Sequence, residues 1–132
     1  MALDAVRYAV DPEEVPRTLA RDLSTRFEGA SAHEVIEAAV HEIFAGEIAL
    51  VSSFGAESAV LLKLVADVDP TIPVVFLDTG KLFGETLRYR DRLVDLFGLT
   101  DVRSIRPEPK RLDGADPDGG LWLRDNDLCC RI

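Results

Sequence analysis

Three short stretches of this chain carry groups that can do chemistry. Ser52-Ser53-Phe54-Gly55-Ala56-Glu57-Ser58 lies between an apolar run, Ile48-Ala49-Leu50-Val51, and a second one, Ala59-Val60-Leu61-Leu62. Asp78-Thr79-Gly80 follows the apolar run Pro73-Val74-Val75-Phe76-Leu77. Cys129 and Cys130 are adjacent and are the chain's two cysteines. A strand, a short glycine-containing loop and a helix start make an anion cradle, because the loop N–H groups and the first helical turn point at the ligand. Ser52, Ser53 and Ser58 add hydroxyl donors, and Gly55 allows a close backbone approach or a positive φ. The plain alternative is a strand-to-helix turn with a serine cap, and on this stretch alone both readings stand. Neither GxxxxGK[ST] nor GxGxxG is present.

The second loop favours the cradle. Two polar loops following adjacent strands of one sheet form a cleft at its carboxyl edge, where open α/β sheets bind ligands. Lys81 is either a local positive charge for that cleft or a solvated loop lysine. Neighbouring cysteines rarely form a relaxed disulfide with each other, so Cys129-Cys130 reads as a redox or metal pair in a reducing compartment. His33 and His41 are lone histidines on a wet helix face, and solvation is the better reading for both.

The elements that must position these groups follow from periodicity. Asp11-Pro12-Glu13-Glu14 is a helix start with a cap, a first-turn proline and acidic residues, and Val15, Leu19 and Leu23 form a stripe toward a core. Ser31-Ala32-His33-Glu34 is a capping box, followed by the stripe Val35, Ile36, Ala39, Val40, Ile43 and Phe44, with Gly46 as the stop. Strands are expected near 48–52, 73–77 and 101–105, with helices over 56–68 and 84–97. Apolar strands alternating with helices predict a parallel sheet covered on both faces, a three-layer α/β fold. The helix near 59–65 is apolar almost all round apart from Lys63, which predicts a central position. On the next helix Leu87, Leu93, Val94 and Phe97 are expected to pack, with Glu85, Arg88, Arg92 and Asp95 in water. Beyond Ile105 the chain is turn-rich without periodicity, and Leu121-Trp122-Leu123 is expected to anchor it. Residues 1–46 read as N-terminal helices packing on a nucleotide-binding α/β unit over 47–132.

Composition sets limits. At 132 residues, 47% hydrophobic and 30% charged, the chain is long enough for one domain with a core. A net charge of −9 argues against a nucleic-acid surface but not against a small anion bound by backbone amides. No apolar stretch approaches the roughly 20 residues that span a bilayer. Met1-Ala2-Leu3-Asp4-Ala5-Val6-Arg7 lacks the pattern of a secretory signal. A cytoplasmic protein without a membrane partner is expected.

The motifs "SSFGAESAVLL", "LDTGKLFGETLRYRDRL" and "DPDGGLWLRDNDLCC", in that order, resemble the adenylyl-sulfate and phosphoadenylyl-sulfate reductases of assimilatory sulfate reduction. These belong to the PP-loop, adenine-nucleotide α-hydrolase-like superfamily, and the likeness runs from about Arg17 onward. The resemblance implies that residues 52–58, with Ser52, Ser53, Phe54, Gly55 and Ser58, hold the phosphosulfate and ribose side of the nucleotide. It implies that Leu77, Asp78, Thr79 and Gly80 contact the adenosine, and that Cys129 and Cys130 ligate a 4Fe-4S cluster whose other two ligands come from a CxxC further along. The implied reaction is thiol-dependent reduction of adenylyl sulfate, or its 3′-phosphorylated form, to sulfite and AMP or adenosine 3′,5′-bisphosphate. A cysteine thiolate attacks the sulfur, the nucleotide leaves, and thioredoxin or a similar dithiol releases sulfite from the S-sulfocysteine.

ATP-cleaving relatives carry a pattern like SGGxDS, where this chain has Phe54 for a glycine and Glu57 for the aspartate. The phenyl group is expected to leave less room for pyrophosphate, which favours a sulfonucleotide reductase over an adenylating enzyme or a sulfate adenylyltransferase subunit; a PP-loop ATP pyrophosphatase stands as a further reading. Family members are longer, with the CxxC and the nucleophilic cysteine downstream of the region matched here. The chain is therefore expected to be an N-terminal portion, truncated at the C-terminus and inactive alone. A non-catalytic nucleotide-binding fragment is the alternative of a different class.

Overall fold

The computed structural model of the chain describes residues 14–131. Its elements are α1 (Glu14–Arg26), α2 (Ala32–Ala38), β1 (Leu50–Val51), α3 (Ser58–Val68), β2 (Val74–Leu77), α4 (Gly84–Phe97), β3 (Val102–Ile105), α5 (Pro109–Ala115), α6 (Leu121–Arg124) and α7 (Asn126–Cys129). The expected cap at Asp11 and proline at Pro12 lie outside the described residues.

The three strands form one parallel sheet in the order β1-β2-β3, the α/β architecture expected from the alternating runs. Leu50 pairs with Val74, Val74 with Val102, and Leu77 with Ile105. Side chains alternate across a strand, so Val74 and Phe76 share a face. That face is the core: Val74 and Phe76 pack with Leu62 and Ala66 of α3, Leu93 of α4, and Leu99 and Phe54 from loops. The opposite face differs from expectation. Val51, Leu77 and Ile105 are 67%, 60% and 51% exposed, so the described residues do not supply a second helical layer over it. The physical reason is topological. Sequential strand order with right-handed crossovers brings both crossover helices to one side of the sheet, and α3 and α4 do touch each other.

Several helices depart from the pattern reading in ways that trace to local geometry. The capping box forms as expected: the Glu34 N–H donates to Ser31 Oγ at 3.3 Å, and the Ser31 N–H donates to Glu34 Oε2 at 2.8 Å. The helix then widens into one π-helical turn, Ala39–Ile43, closed by the Phe44 N–H donating to the Ala39 carbonyl at 3.0 Å. That extra residue per turn shifts the phase of the stripe. Ala38 and Val40 are buried, whereas Val35 and Phe44 are exposed. On α1 the stripe is weak, since Leu19 is exposed and Leu23 only half-buried. Helix α3 is not central. Leu62, Val65 and Ala66 are buried, but Val60 and Leu61 are exposed. Helix α4 matches its expected span, with Leu93 buried and Leu87, Val94 and Phe97 packed against the core. Residues 109–129 hold three short helices where only turns were expected. Helices of four to seven residues are too short to show a period. Leu121 does anchor the segment, whereas Trp122 and Leu123 are exposed.

Candidate functional site

Parallel strands put the loops after β1 and β2 at the same carboxyl edge of the sheet. In the first loop Ser52 is buried, and its Oγ accepts from the Phe54 N–H at 3.1 Å. Ser53 Oγ accepts from the Gly55 N–H at 3.4 Å and lies 3.2 Å from the Ser58 hydroxyl. These bonds roll the loop into a tight crest. Helix α3 then starts at Ser58 with Glu57 at its cap position and no side-chain cap bond. A serine-capped turn is therefore not what forms: the Ser58 N–H donates to the Gly55 carbonyl at 3.1 Å, and the cap residue makes no side-chain bond to the amides that follow in this 11-residue helix. Such a terminus favours an anion.

Phe54 overturns two details of the sequence reading. The positive φ of the loop falls on Phe54, at +52°, and not on Gly55. A bulky residue there is a strained exception, and a glycine, such as the SGGxDS pattern carries, would take that φ without strain. The phenyl ring does not narrow the ligand side either. It is 1% exposed and packs edge-on against Phe76 in the core, with centroids 5.5 Å apart at 83°. Only the backbone of Phe54 faces the crest.

The second loop is built around a buried carboxylate. Asp78 is 3% exposed. Its Oδ1 accepts from the Gly80 N–H at 2.9 Å, which closes a turn whose φ of +71° at Gly80 suits glycine. Its Oδ2 accepts from Arg106 Nε at 2.9 Å and Nη2 at 2.6 Å. The Gly80 amide and the Arg106 guanidinium together hold the Asp78 carboxyl below the usual carboxylate range, against the opposing effect of burial. Asp78 therefore shapes the loop, with both carboxylate oxygens hydrogen-bonded within the chain. Thr79, Gly80 and the Leu77 side chain are exposed at the edge. Lys81 has a partner: its Nζ donates to the Gly119 carbonyl at 2.7 Å.

The cysteines arrive at this loop from the far end of the chain. Asp116 is buried and accepts from the Leu121 N–H at 2.8 Å, which starts α6. Asp125 Oδ1 accepts from the Leu128 N–H at 2.9 Å and caps α7. Cys129 ends α7 and Cys130 follows; both are free thiols. They line a cleft of about 250 Å³ with Thr79, Lys81, Asp116 and Trp122. They also line one of about 340 Å³ with Leu77, Ile105 and Arg106. A third cleft, of about 480 Å³, is walled by Asp78, Thr79, Gly80, Arg106 and Leu112. The structure thus brings together Leu77–Gly80 and the cysteine pair. It sets the 52–58 loop beside them over the neighbouring strand, and none of these three clefts has a residue of that loop in its wall. His33 and His41 lie on the surface away from these clefts.

Arg106 was missed in the sequence, where it opened the turn-rich tail. The available signal was its place as the first residue past the third strand, at the edge where such sheets bind ligands.

Among the described residues no helix is long and apolar enough to cross a membrane. The family model of the phosphoadenosine phosphosulfate reductase domain matches residues 47–132. A relative named adenosine 5′-phosphosulfate reductase, from Mesorhizobium japonicum, is 54% identical over 99 residues, which is 75% of this chain and 39% of that protein. One of the same name from Chelativorans sp. is 46% identical over 114 residues, 86% of this chain and 46% of that protein. One named phosphoadenosine 5′-phosphosulfate reductase, from Alkalilimnicola ehrlichii, is 50% identical over 79 residues, 60% of this chain and 32% of that protein. The chain spans less than half the length of these curated relatives. With the family model covering most of its length and both polar loops lying inside the matched region, the chain belongs to the phosphoadenosine phosphosulfate reductase domain family.

Proposed function

We propose that this chain is the nucleotide-binding part of a sulfonucleotide reductase, acting on adenylyl sulfate in preference to its 3′-phosphorylated form. The observation that carries this is the meeting, at one edge of the sheet, of the 77–80 loop with the Cys129-Cys130 pair, one strand away from an uncapped helix start. The serine crest and the first amides of α3 bind the phosphosulfate oxygens, and the exposed edge from Leu77 to Gly80 borders the adenosine. Their task is to neutralise the leaving group's charge and to orient its sulfur toward an incoming thiolate. In that reaction the thiolate attacks sulfur, the S–O bond to the nucleotide breaks, and AMP departs with the bond's electron pair. A dithiol such as thioredoxin then displaces sulfite and is itself oxidised to a disulfide.

The cysteines of this chain are assigned to an iron–sulfur cluster, not to the attack. Two soft thiols opening on the same clefts fit two positions of a thiolate-ligated cluster. The described residues contain no group of three or more His, Cys, Asp or Glu side chains able to hold a metal, so they do not fit the other two. Bound there, iron would hold both thiols as thiolates. With both cysteines so committed, the 132-residue chain alone binds nucleotide without turning it over. The soluble, cytoplasmic setting of the family's chemistry is part of the same proposal.

The test is a pair of assays. The chain should bind AMP, and a protein joining it to the nucleophile-bearing region should form AMP and sulfite from adenylyl sulfate. Pyrophosphate release from ATP would instead support the ATP pyrophosphatase reading. Failure to bind any adenine nucleotide would defeat the proposal.

A further inference from the structure

We propose that Arg106 is a positioning residue of the nucleotide site, holding the 77–80 loop in its ligand-binding shape through Asp78. This rests on the nucleotide reading above and adds a residue to it.

The placement follows from the strand register. Leu77 pairs with Ile105, and the ladder continues one step as the Asp78 N–H donates to the Ile105 carbonyl at 2.9 Å. Asp78 and Arg106 are thus neighbours just past the ends of two parallel strands. The carboxylate is buried, with Oδ1 taken by the Gly80 amide and Oδ2 by two donors of the guanidinium. A buried carboxylate without its partners is costly, so the Arg106 fork sets the rotamer of Asp78, and Asp78 in turn sets the turn at Gly80. The loop's other side-chain bonds are the Lys81 N–H to Thr79 Oγ1, which is local, and Lys81 Nζ to Gly119. Among the described residues, Arg106 is therefore one of two side chains whose hydrogen bonds tie this loop to distant chain. Its side chain is 70% exposed and forms part of the wall of two of the clefts beside the loop.

An arginine in that place has a rival role, as a direct ligand for a phosphate or sulfate oxygen. The paired charge argues against it. Asp78 neutralises the guanidinium at 2.6 Å, and the pair adds little net attraction for an anion. A positioning role predicts equal losses for charged and uncharged ligands. Direct contact predicts a loss confined to the charged one.

The experiment measures the Kd of AMP and of adenosine by NMR titration, for the wild-type chain, Arg106→Gln, Arg106→Lys, Asp78→Asn and the double variant Arg106→Gln/Asp78→Asn. Each is held at a temperature where circular dichroism reports it fully folded. Arg106→Gln should weaken both ligands alike, by about tenfold, the scale of a lost charge-assisted hydrogen bond. Arg106→Lys should recover part of the loss, because an ammonium keeps the charge without the fork. The double variant should bind no more weakly than the worse single one. A loss for AMP far exceeding that for adenosine, additive losses in the double variant, or unchanged binding in Arg106→Gln would each overturn the inference.

Hydrogen exchange of the Gly80 amide gives a readout without ligand. It should quicken in Arg106→Gln while the core amides of β2 keep their protection, and an unchanged Gly80 rate would overturn the inference. A wild-type chain that binds neither AMP nor adenosine would defeat the nucleotide reading, and with it a nucleotide-positioning role for Arg106, whatever the exchange shows about the loop.

Discussion

Phe54 and Phe76 meet edge to face at 5.5 Å, joining the crest of the first polar loop to the strand that leads into the second. The loop residue with the strained backbone is thus also a core residue. An aromatic pair of this geometry contributes about 0.5–1.5 kcal/mol beyond the area it buries, and the burial of the Phe54 ring holds its φ at +52°. The loop's shape depends on the core beneath it.

Phe54→Ala should therefore destabilise the chain by about 3–5 kcal/mol, the range for emptying a buried aromatic site. Phe54→Leu should cost less, because it refills part of the space. The check is the urea midpoint of each variant at constant m-value. Because the ring faces the core, neither substitution enlarges the ligand side. Any loss of AMP affinity should track stability across the two variants.

The Asp78 carboxyl is held below its usual pKa by the Gly80 amide and Arg106. A carboxylate depressed on folding adds stability that is full above its unfolded pKa of about 4 and is lost as pH falls through the lower native value. Asp78→Asn should lower the urea midpoint at pH 7. The gap from wild type should narrow as the pH drops below about 4, where the unfolded chain takes up the proton, and close as it falls through the lower native value, where the folded wild-type side chain is also neutral. A gap that stays constant down to the acid transition would contradict this assignment.

Two aspartates two residues apart share Arg124 but differ in burial, Asp116 lying 3.9 Å from the guanidinium and Asp118 bonded to it directly. Asp116 is buried and carries the Leu121 amide, so Asp116→Ala leaves a buried donor unpaired, at about 1–3 kcal/mol. Asp118 makes a bidentate pair with Arg124, at 2.5 and 2.8 Å, and the Arg124 guanidinium pulls its carboxyl well below the usual range. That pair stands in water, however, and is screened. Asp118→Ala should move the urea midpoint much less than Asp116→Ala. Raising the salt to 1 M should shrink the Asp118 effect further and leave that of Asp116 in place.

What could be read from the sequence divides along physical lines. Long amphipathic runs, such as 84–97, announce their own span, and the polar loops 52–58 and 77–80 mark the ends of apolar strands. Which side of the sheet a helix lies on does not show in its own pattern. Helix α3, apolar almost all round near 59–65 apart from Lys63, therefore looked central, although topology leaves Val60 and Leu61 in water. The π-helical turn after Ala38 has no compositional mark, so the stripe drifted out of phase at Phe44. Phe54 appeared to be a ligand-side obstruction because sequence gives the residue and not its φ. Arg106 was overlooked because its partner is 28 residues away, and only the strand register makes the two neighbours. The short helices carrying the cysteines rest on side-chain-to-backbone bonds at Asp116 and Asp125, and these give no periodic signal.

The last prediction concerns Cys129 and Cys130. Both thiols are free and open on the same clefts beside the 77–80 loop, and the chain holds no further cysteine. A stable 4Fe-4S cluster normally takes four cysteine ligands. Anaerobic incubation of this chain with iron and sulfide should therefore leave it without the visible absorption of a stoichiometric cluster while it stays monomeric. In a longer protein that joins this segment to two further cysteines the absorption should appear, and Cys129→Ser or Cys130→Ser should each abolish it. Exposure adds a second readout in the isolated chain. Cys130 is exposed and Cys129 half-buried, so iodoacetamide should alkylate Cys130 first, as peptide mapping by mass spectrometry would show. A monomeric chain that assembles a stoichiometric cluster from its two thiols, or a longer protein whose cluster survives both serine substitutions, would mean that these cysteines do not have the ligand role assigned to them here.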